Sequence, residues 1–293
     1  MLDDRNPKHG PTVAKDAPTQ DFPGVEAPLK PQADHGERSY RGSGKLEGLV
    51  ALITGGDSGI GRAVAIAFAR EGADVAGGYL DAKEEEDARE TLRWIEEAGR
   101  RGLIHPFDVQ EPEQCRGFVE RTVRELGRLD VLVNNAAYQM VRKKFEEITD
   151  EQLERTFRTN IFGYFHMVKA ALPHLGAGAC ILNTGSVTGL EGHAGLIDYA
   201  ATKGAIHNFT RSLAESLKDR GIRVNCVAPG PVWTPLIPAT FPQEDLADFG
   251  KDTFWERPAQ PVEIATSYVF LASAESRYYS GEILAPTGKT TTR

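Results

Sequence analysis

A glycine-rich turn between an apolar run and an amphipathic stretch constrains the fold of this chain more than any other feature. Residues 49–53 have the pattern of a buried strand, residues 54–61 read Thr-Gly-Gly-Asp-Ser-Gly-Ile-Gly, and residues 62–71 have a helical pattern. Glycines let the backbone turn sharply, let a pyrophosphate approach closely and leave the first N–H groups of the helix free. The segment predicts a strand, turn and helix of nucleotide-binding type, although such glycines also serve turn geometry alone.

The alternation of apolar runs and amphipathic stretches continues along the chain. It predicts an α/β fold of Rossmann type, a doubly wound, seven-stranded parallel sheet with helices on both faces in three layers. The further strands are predicted at 74–80, 103–107, 129–133, 179–184, 223–228 and 282–284, and the helices at 83–99, 111–126, 150–175, 198–219 and 261–274. The pattern indicates no second domain, so we expect residues 45–293 to form a single one.

Residues 1–44 differ from the rest in composition. They contain six prolines and five glycines, with apolar residues scattered singly, and cannot bury enough apolar surface to fold alone. The segment around Asp21 to Leu29, together with Tyr40, offers a few apolar anchors. A disordered tail and an extended arm docked on this domain or on a neighbouring subunit both remain open.

Three polar residues near two-thirds of the chain form the candidate catalytic group. Tyr199 and Lys203 are four residues apart in a predicted helix, so they point into the same volume, where an ammonium would lower the pKa of a phenol. Ser186 ends a predicted strand, and the carboxyl ends of parallel strands form the ligand-binding edge of such sheets. The group predicts proton transfer to or from a substrate oxygen, whereas a Tyr and a Lys at this spacing also occur by chance on surface helices.

Together with the glycine turn, this group resembles the short-chain dehydrogenases/reductases. The turn has the family spacing Thr-Gly-x-x-x-Gly-x-Gly at Thr54, Gly55, Gly59 and Gly61, and the similarity is strongest to the branch with an N-terminal extension, often described as general-stress oxidoreductases. The resemblance implies hydride transfer between a nicotinamide cofactor and a small carbonyl or alcohol substrate. It implies catalytic roles for Asn160, Ser186, Tyr199 and Lys203, with Tyr199 as general acid/base and Asn160 supporting a water.

The resemblance also implies a set of cofactor-binding residues. NAD and NADP remain open, because neither sign of charge is clear at the end of the second predicted strand; Lys83 favours NADP slightly. Besides Tyr199 and Lys203, the implied residues are Thr54, Gly55, Asp57, Ser58, Gly59, Ile60, Gly61, Tyr79, Leu80, Asp108, Val109, Asn135, Ala136, Ala137, Thr184, Pro229, Gly230, Val232 and Thr234.

Residues 235–257 are the candidate substrate-binding segment. Leu236, Ile237, Phe241, Phe249 and the pair Phe254-Trp255 predict a helical lid with an apolar inner face, or else residues packed in the core or a subunit interface. A second function also stays open, a dinucleotide-sensing or scaffold protein without turnover. Such proteins usually lack the tyrosine or the lysine, and both are present here.

Composition and charge exclude other classes of partner. The net charge of −8 argues against binding to a nucleic acid or an anionic membrane. No apolar run is long enough to form a membrane-spanning helix. Three dispersed cysteines without a CxxC motif indicate buried thiols in a reducing compartment, so we expect a cytoplasmic protein. No histidine motif indicates a metal site. The resemblance implies a homodimer or homotetramer.

Overall fold

Short apolar runs form one parallel sheet of seven strands in the computed structural model, which describes residues 5–289. The strand order is β3-β2-β1-β4-β5-β6-β7, so the predicted Rossmann-type topology is confirmed. Each predicted strand lies within two residues of the observed one. The strands are β1 Val50–Thr54, β2 Asp74–Tyr79, β3 Gly102–Pro106, β4 Val131–Asn134, β5 Cys180–Thr184, β6 Arg223–Val227 and β7 Ile283–Leu284.

Helices cover both faces of the sheet and connect the parallel strands. Alternate residues of β1 separate the two cores: Ala51 and Ile53 pack against α1 and α10, whereas Val50 and Leu52 pack on the opposite face against α3, α5 and α7. The α-helices are α1 Gly59–Arg70, α2 Glu85–Glu97, α3 Pro112–Leu126, α4 Asp150–Phe157, α5 Gly163–Ala171, α6 Thr188–Glu191, α7 Ile197–Leu217, α8 Leu236–Thr240, α9 Gln243–Leu246 and α10 Pro261–Ala272.

The direction of winding reverses between β1 and β4, which opens a crevice above their carboxyl ends. Thr54 joins the two strand ends: its Oγ1 accepts hydrogen bonds from the backbone N–H groups of Asn135 and Ala136, both at 2.9 Å. The Asn135 amide in turn donates to the carbonyl groups of Thr54 and Gly55 at 3.1 and 3.0 Å. These bonds fix the floor of the crevice.

The helix predicted over residues 150–175 is present over residues 150–171, and a π-helical turn interrupts it. A π-helical turn at Arg158–Phe162 separates α4 from α5. Asn160 lies in this turn and is fully buried, and its side chain bonds to both the N–H and the C=O of Tyr138, each at 2.8 Å. A widened turn of this kind often marks a functional site, and periodicity alone does not reveal it.

The N-terminal arm, residues 5–44, contains no helix or strand, yet it packs along the domain. Val13, Ala17 and Leu29 are buried in a small apolar cluster with Trp233 and Leu246. The indole Nε1 of Trp233 also donates to the carbonyl of Pro31 at 2.8 Å. In the structure the arm thus contacts its own chain.

A buried ion pair ties the arm to the glycine turn. The Oε1 atom of Glu26 accepts from the Gly59 N–H at 2.7 Å and contacts His35 Nε2 at 2.8 Å. His35 Nδ1 lies 2.9 Å from a Glu37 carboxylate oxygen. Burial alone would lower the pKa of His35, but the charge and hydrogen bond of Glu26 and the hydrogen bond of Glu37 raise it to about 9. His35 is therefore protonated and positively charged at neutral pH.

All three cysteines are buried free thiols. Burial raises the pKa of Cys115 and of Cys226 to about 12 and that of Cys180 to about 11. Among residues 5–289, no helix is long and apolar enough to cross a membrane. No cluster of three or more His, Cys, Asp or Glu side chains in this part of the chain could hold a metal ion.

We predict that the His35–Glu26 pair makes stability depend on pH on the alkaline side. The pKa of His35 is higher in the folded chain than the ordinary value of 6.5, so its stabilisation is complete below about pH 6.5 and is lost as pH rises through about 9. Urea unfolding at pH 6.5 and pH 10 should show His35→Gln to be less stable than wild type by about 1 to 3 kcal/mol at the lower pH, with the gap closing at the higher. A gap that does not change with pH would contradict the pairing. Exposed His174 gives the control His174→Gln, which should open no such gap.

We also predict that Gly61→Ala destabilises the turn. A Cβ at Gly61 would lie 1.7 Å from the carbonyl oxygen of Gly55 and 2.8 Å from the Asn135 amide nitrogen. Relief of this overlap must shift the backbone between β1 and α1, at a cost of about 1–3 kcal/mol. Thermal unfolding should show a clear fall in Tm. The matched control is Gly117→Ala in α3, where an added Cβ meets nothing within 4 Å and helix propensity favours Ala. Equal Tm values for the two variants would contradict the close approach.

Candidate active site

One cavity of about 630 Å³ lies above the carboxyl ends of the strands and extends across the crevice between β1 and β4. Its size is ordinary for a small-molecule or cofactor site. The glycine turn borders one side and the Ser186, Tyr199 and Lys203 side chains border another. The fold thus brings the two candidate groups, which are more than 120 residues apart in sequence, to one cavity.

The glycine turn is shaped for a ligand that approaches its backbone. Gly55 and Gly59 have φ angles of 63° and 50°, a region that other L-residues rarely adopt. A Cβ at Gly59 would lie 3.0 Å from the side chain of Thr234, which follows β6. Because α1 begins at Gly59, the positive end of its dipole lies at the border of the cavity, where the Gly59 N–H itself donates to Glu26. This cradle fits the pyrophosphate of a dinucleotide.

The Ser186 hydroxyl is oriented by Thr188. Ser186 Oγ accepts from the backbone N–H of Thr188 at 3.1 Å and from its hydroxyl at 3.0 Å. A hydroxyl has two acceptor positions and one proton, so these bonds leave the Ser186 proton to donate into the cavity. A substrate carbonyl oxygen or the neighbouring phenol can accept it.

Tyr199 and Lys203 lie one turn apart on α7, and the Lys203 Nζ is 5.3 Å from the centre of the Tyr199 ring. The Nζ donates to the carbonyl of Thr184 at 2.7 Å. Burial raises the pKa of Tyr199 to about 12, opposed by its hydrogen bond with Ser186, and burial lowers the pKa of Lys203 to about 8. Lys203 is not among the groups that shift the pKa of Tyr199, for which burial is the largest cause.

Asn160 lies behind the cavity wall. Its Oδ1 accepts from the Tyr138 N–H, and its Nδ2 donates to the Tyr138 carbonyl at 2.8 Å and to Thr202 Oγ1 at 3.0 Å. The side chain therefore connects the loop after β4 to α7, next to Tyr199. Its amide protons both have protein partners, so a proton-relay water at this position would depend on other groups of the turn.

Most of the sequence-derived site residues border this one cavity. Thr54 and Gly61 lie beneath the glycine turn, where Thr54 braces β4 and Gly61 admits the Gly55 backbone. The sequence-derived residues that border the cavity are Gly55, Asp57, Ser58, Gly59, Ile60, Tyr79, Leu80, Asp108, Val109, Asn135, Ala136, Ala137, Thr184, Ser186, Tyr199, Lys203, Pro229, Gly230, Val232 and Thr234.

A buried acid lies at the β1–β2 end of the cavity. Burial and, next, the charge of Glu84 raise the pKa of the Asp57 carboxyl well above its ordinary value. Its Oδ2 is buried without a hydrogen-bond partner. Such an orphaned atom is uncommon and fits a polar group of a bound ligand. Lys83, the basis for favouring NADP, directs its Nζ to the carbonyl of Asp21, 2.8 Å away.

The predicted helical lid is only partly helical. Residues 235–257 contain the short helices α8 and α9 and are otherwise irregular. Ile237, Phe241 and Phe249 border the cavity and also pack on the arm cluster, which combines the two alternatives that the sequence left open. The aromatic rings of Phe254 and Trp255 are instead exposed. Polar residues share this end of the cavity, including Gln139, His193 and Lys289, so its lining is mixed.

Sequence reasoning missed the contribution of the arm to this cavity. Phe22, Pro23 and Gly24 border it, and Arg155 of α4 lies beside them. The apolar anchors between Asp21 and Leu29 were the available signal. No periodicity or motif indicates which part of the domain such a segment contacts.

The chain is similar in sequence to known oxidoreductases over most of its length. Residues 55–288 match the family model described as enoyl-(acyl carrier protein) reductase. The chain is 55% identical to the uncharacterized oxidoreductase YhdF of Bacillus subtilis (strain 168), over 97% of this chain and 98% of the relative. It is 53% identical to general stress protein 39 of the same organism, over 91% and 92%. It is 49% identical to NADPH-dependent aldehyde reductase 1, chloroplastic, of Arabidopsis thaliana, over 91% and 94%.

Solved structures share the fold. A short chain dehydrogenase from Burkholderia cenocepacia J2315 in complex with NADP is 34% identical, with a TM-score of 0.77 over 84% of this chain and 98% of that one. A short chain dehydrogenase from Mycobacterium paratuberculosis bound to NAD is 32% identical, with a TM-score of 0.75 over 84% and 98%. By sequence and fold, the chain belongs to the short-chain dehydrogenase/reductase family of oxidoreductases, in the branch with an N-terminal extension.

Proposed function

We propose that the protein transfers a hydride between NAD or NADP and a small carbonyl or alcohol substrate, reducing aldehydes or ketones. The observation that carries this proposal is the placement of Ser186, Tyr199 and Lys203 in the same cavity as the glycine turn. A relative is named as an NADPH-dependent aldehyde reductase, and related structures hold NADP or NAD. The bound cofactor would supply the hydride.

The protein's own residues would position the substrate and handle its proton. Thr188 takes both acceptor positions of Ser186 Oγ, so Ser186 acts as a donor, and its proton would hold the substrate carbonyl oxygen. Tyr199 would donate its phenolic proton to the same oxygen as negative charge develops there. A pKa of about 12 keeps the phenol protonated at neutral pH, the form that reduction requires.

Lys203 would act from behind the tyrosine. Its ammonium is held by the Thr184 carbonyl at the end of β5, within reach of the Tyr199 ring. A cation there stabilises the phenolate that remains after proton donation. We propose that Lys203 also binds a ribose of the cofactor, because Lys203 and Tyr199 border the cavity beside Thr184. Asn160 would be a positioning residue through its bonds to Tyr138 and Thr202.

The remaining proposals concern assembly and location. Phe162, Phe165 and Ile197 are large apolar side chains exposed along the α4–α5 and α7 helices, which supports a homodimer or homotetramer formed through these helices. Three buried, protonated thiols are consistent with a reducing compartment, and we propose the cytoplasm. The net charge of −8 argues against a nucleic-acid or an anionic membrane partner.

The first test is turnover. NADH or NADPH absorbance should fall when the protein is mixed with members of a panel of aldehydes and ketones. Tyr199→Phe should lose at least about 100-fold in kcat, the scale of a general acid, while dinucleotide affinity and Tm stay near wild type. Tyr278→Phe is the matched control, because that ring is 98% exposed. If Tyr199→Phe retained most of its rate, the assignment would be wrong; tight dinucleotide binding without any turnover would favour a sensor.

Tyr199 ionisation can be measured directly without cofactor. Tyrosinate absorbs near 295 nm, so the pH titration of wild type minus that of Tyr199→Phe isolates this phenol. Because burial raises the pKa of Tyr199 to about 12, we expect no difference signal below about pH 10. A step between pH 7 and 9 would instead show that Lys203 dominates the electrostatics of the empty site, as the sequence pattern suggested.

A further inference from the structure

A short segment of the arm, residues 20–26, which we call the strap, crosses the cavity. Its N-terminal end is anchored beyond β6, where the Gln20 N–H donates to the carbonyl of Pro238 at 2.9 Å. The Gln20 side-chain amide bonds to both backbone groups of Val25, at 3.0 and 2.8 Å, and so closes the strap into a compact loop. At the β2 side, Lys83 Nζ donates to the Asp21 carbonyl at 2.8 Å.

An aromatic stack holds the middle of the strap to the loop after β4. The ring of Phe22 lies edge to face with Tyr138, with centroids 5.0 Å apart. The Arg155 guanidinium lies 4.7 Å from the Phe22 ring centre and 4.3 Å from that of Tyr138. Phe22 is only half-buried because it borders the open cavity. The contact is of a strength that thermal motion breaks far more readily than a packed core.

The C-terminal end of the strap is bound to the glycine turn. Gly24 passes so close to the domain that an added Cβ would lie 2.3 Å from the Pro235 carbonyl oxygen. Glu26 then takes the Gly59 N–H, one of the donors that a helix N-terminus offers to phosphate. The Glu26 backbone N–H donates to Asp87 Oδ2 at 2.9 Å, and Asp87 pairs with Arg62. This end is thus fixed by buried polar bonds, unlike the Phe22 contact.

These anchors follow the ends of β1, β2, β4 and β6, which surround the crevice where the winding of the sheet reverses. Dinucleotides bind at such a crevice in doubly wound folds. We infer that the strap is part of the dinucleotide site of this protein and closes over the bound cofactor, with Phe22, Tyr138 and Arg155 as its latch. The inference rests on the cofactor binding in the proposed function.

The consequence is kinetic. A dinucleotide held between the strap and the strand ends leaves or enters freely only after the latch opens, while the Glu26 end stays fixed. Opening precedes both directions of exchange, so a weaker latch raises the association and dissociation rates together and changes the Kd little. Removal of a residue that only stabilised the bound cofactor by direct contact would raise the dissociation rate alone, and the Kd would rise with it.

The test measures cofactor exchange, not turnover. Stopped-flow fluorescence of NADPH, and of NADH in parallel, gives both rate constants for wild type and Phe22→Ala. We expect both to rise about tenfold in Phe22→Ala with a Kd within about twofold of wild type. The matched control is Phe145→Ala, because the Phe145 ring is 68% exposed and does not border the cavity. That variant should keep wild-type rates.

Hydrogen exchange of the wild-type protein gives a second measurement that needs no variant. NADPH at saturation should slow amide exchange of residues 20–26 as well as that of the glycine turn. Protection of the turn alone, or rates in Phe22→Ala equal to those in Phe145→Ala, would overturn the strap while leaving the proposed function intact. Failure to bind either dinucleotide would overturn both.

Discussion

The Thr54 hydroxyl joins the ends of β1 and β4, the two strands between which the crevice opens. It accepts from two successive N–H groups beyond β4 and thereby couples the ends of the two strands where the sheet changes its winding direction. Around this junction the glycine turn, the Asn135 amide and the first turn of α1 take fixed positions. A hydroxyl that satisfies two backbone donors in a buried position is costly to replace, since its loss leaves both unpaired. The cavity and its chemistry are built on this junction.

A second constraint concerns the charge beneath the cavity floor. Lys203 has no exposed surface and is stabilised by one carbonyl oxygen, that of Thr184, with aromatic rings of Tyr164 and Tyr199 nearby. A buried ammonium with so few partners is poorly solvated, which is why its pKa falls. The site therefore holds an acid that resists ionisation beside a base that resists protonation. A negative charge arriving in the cavity would stabilise the Lys203 ammonium and would further disfavour ionisation of Tyr199.

The sequence predicted the framework well because its signals were local. Alternating apolar runs located every strand within two residues, and the spacing of Tyr199 and Lys203 placed both on one face of α7. The π-turn around Asn160 escaped prediction, because the bonds of Asn160 to the Tyr138 backbone depend on tertiary packing and leave no local signal. The pKa of Tyr199 also escaped, because the depth of burial is a tertiary property. The docking of the arm through Glu26 depends on one carboxylate among many and carries no local signature.

The two apolar cores also affect how readily the three cysteine thiols react with oxidants. Peroxides and disulfides react with the thiolate form, and a pKa of about 11 or 12 leaves almost none of it at neutral pH. Cys180 and Cys226 are also inside the central strands, where an oxidant would have to cross packed side chains to reach sulfur. Burial therefore disfavours the reactive thiolate form at all three cysteines and limits access to their sulfur atoms.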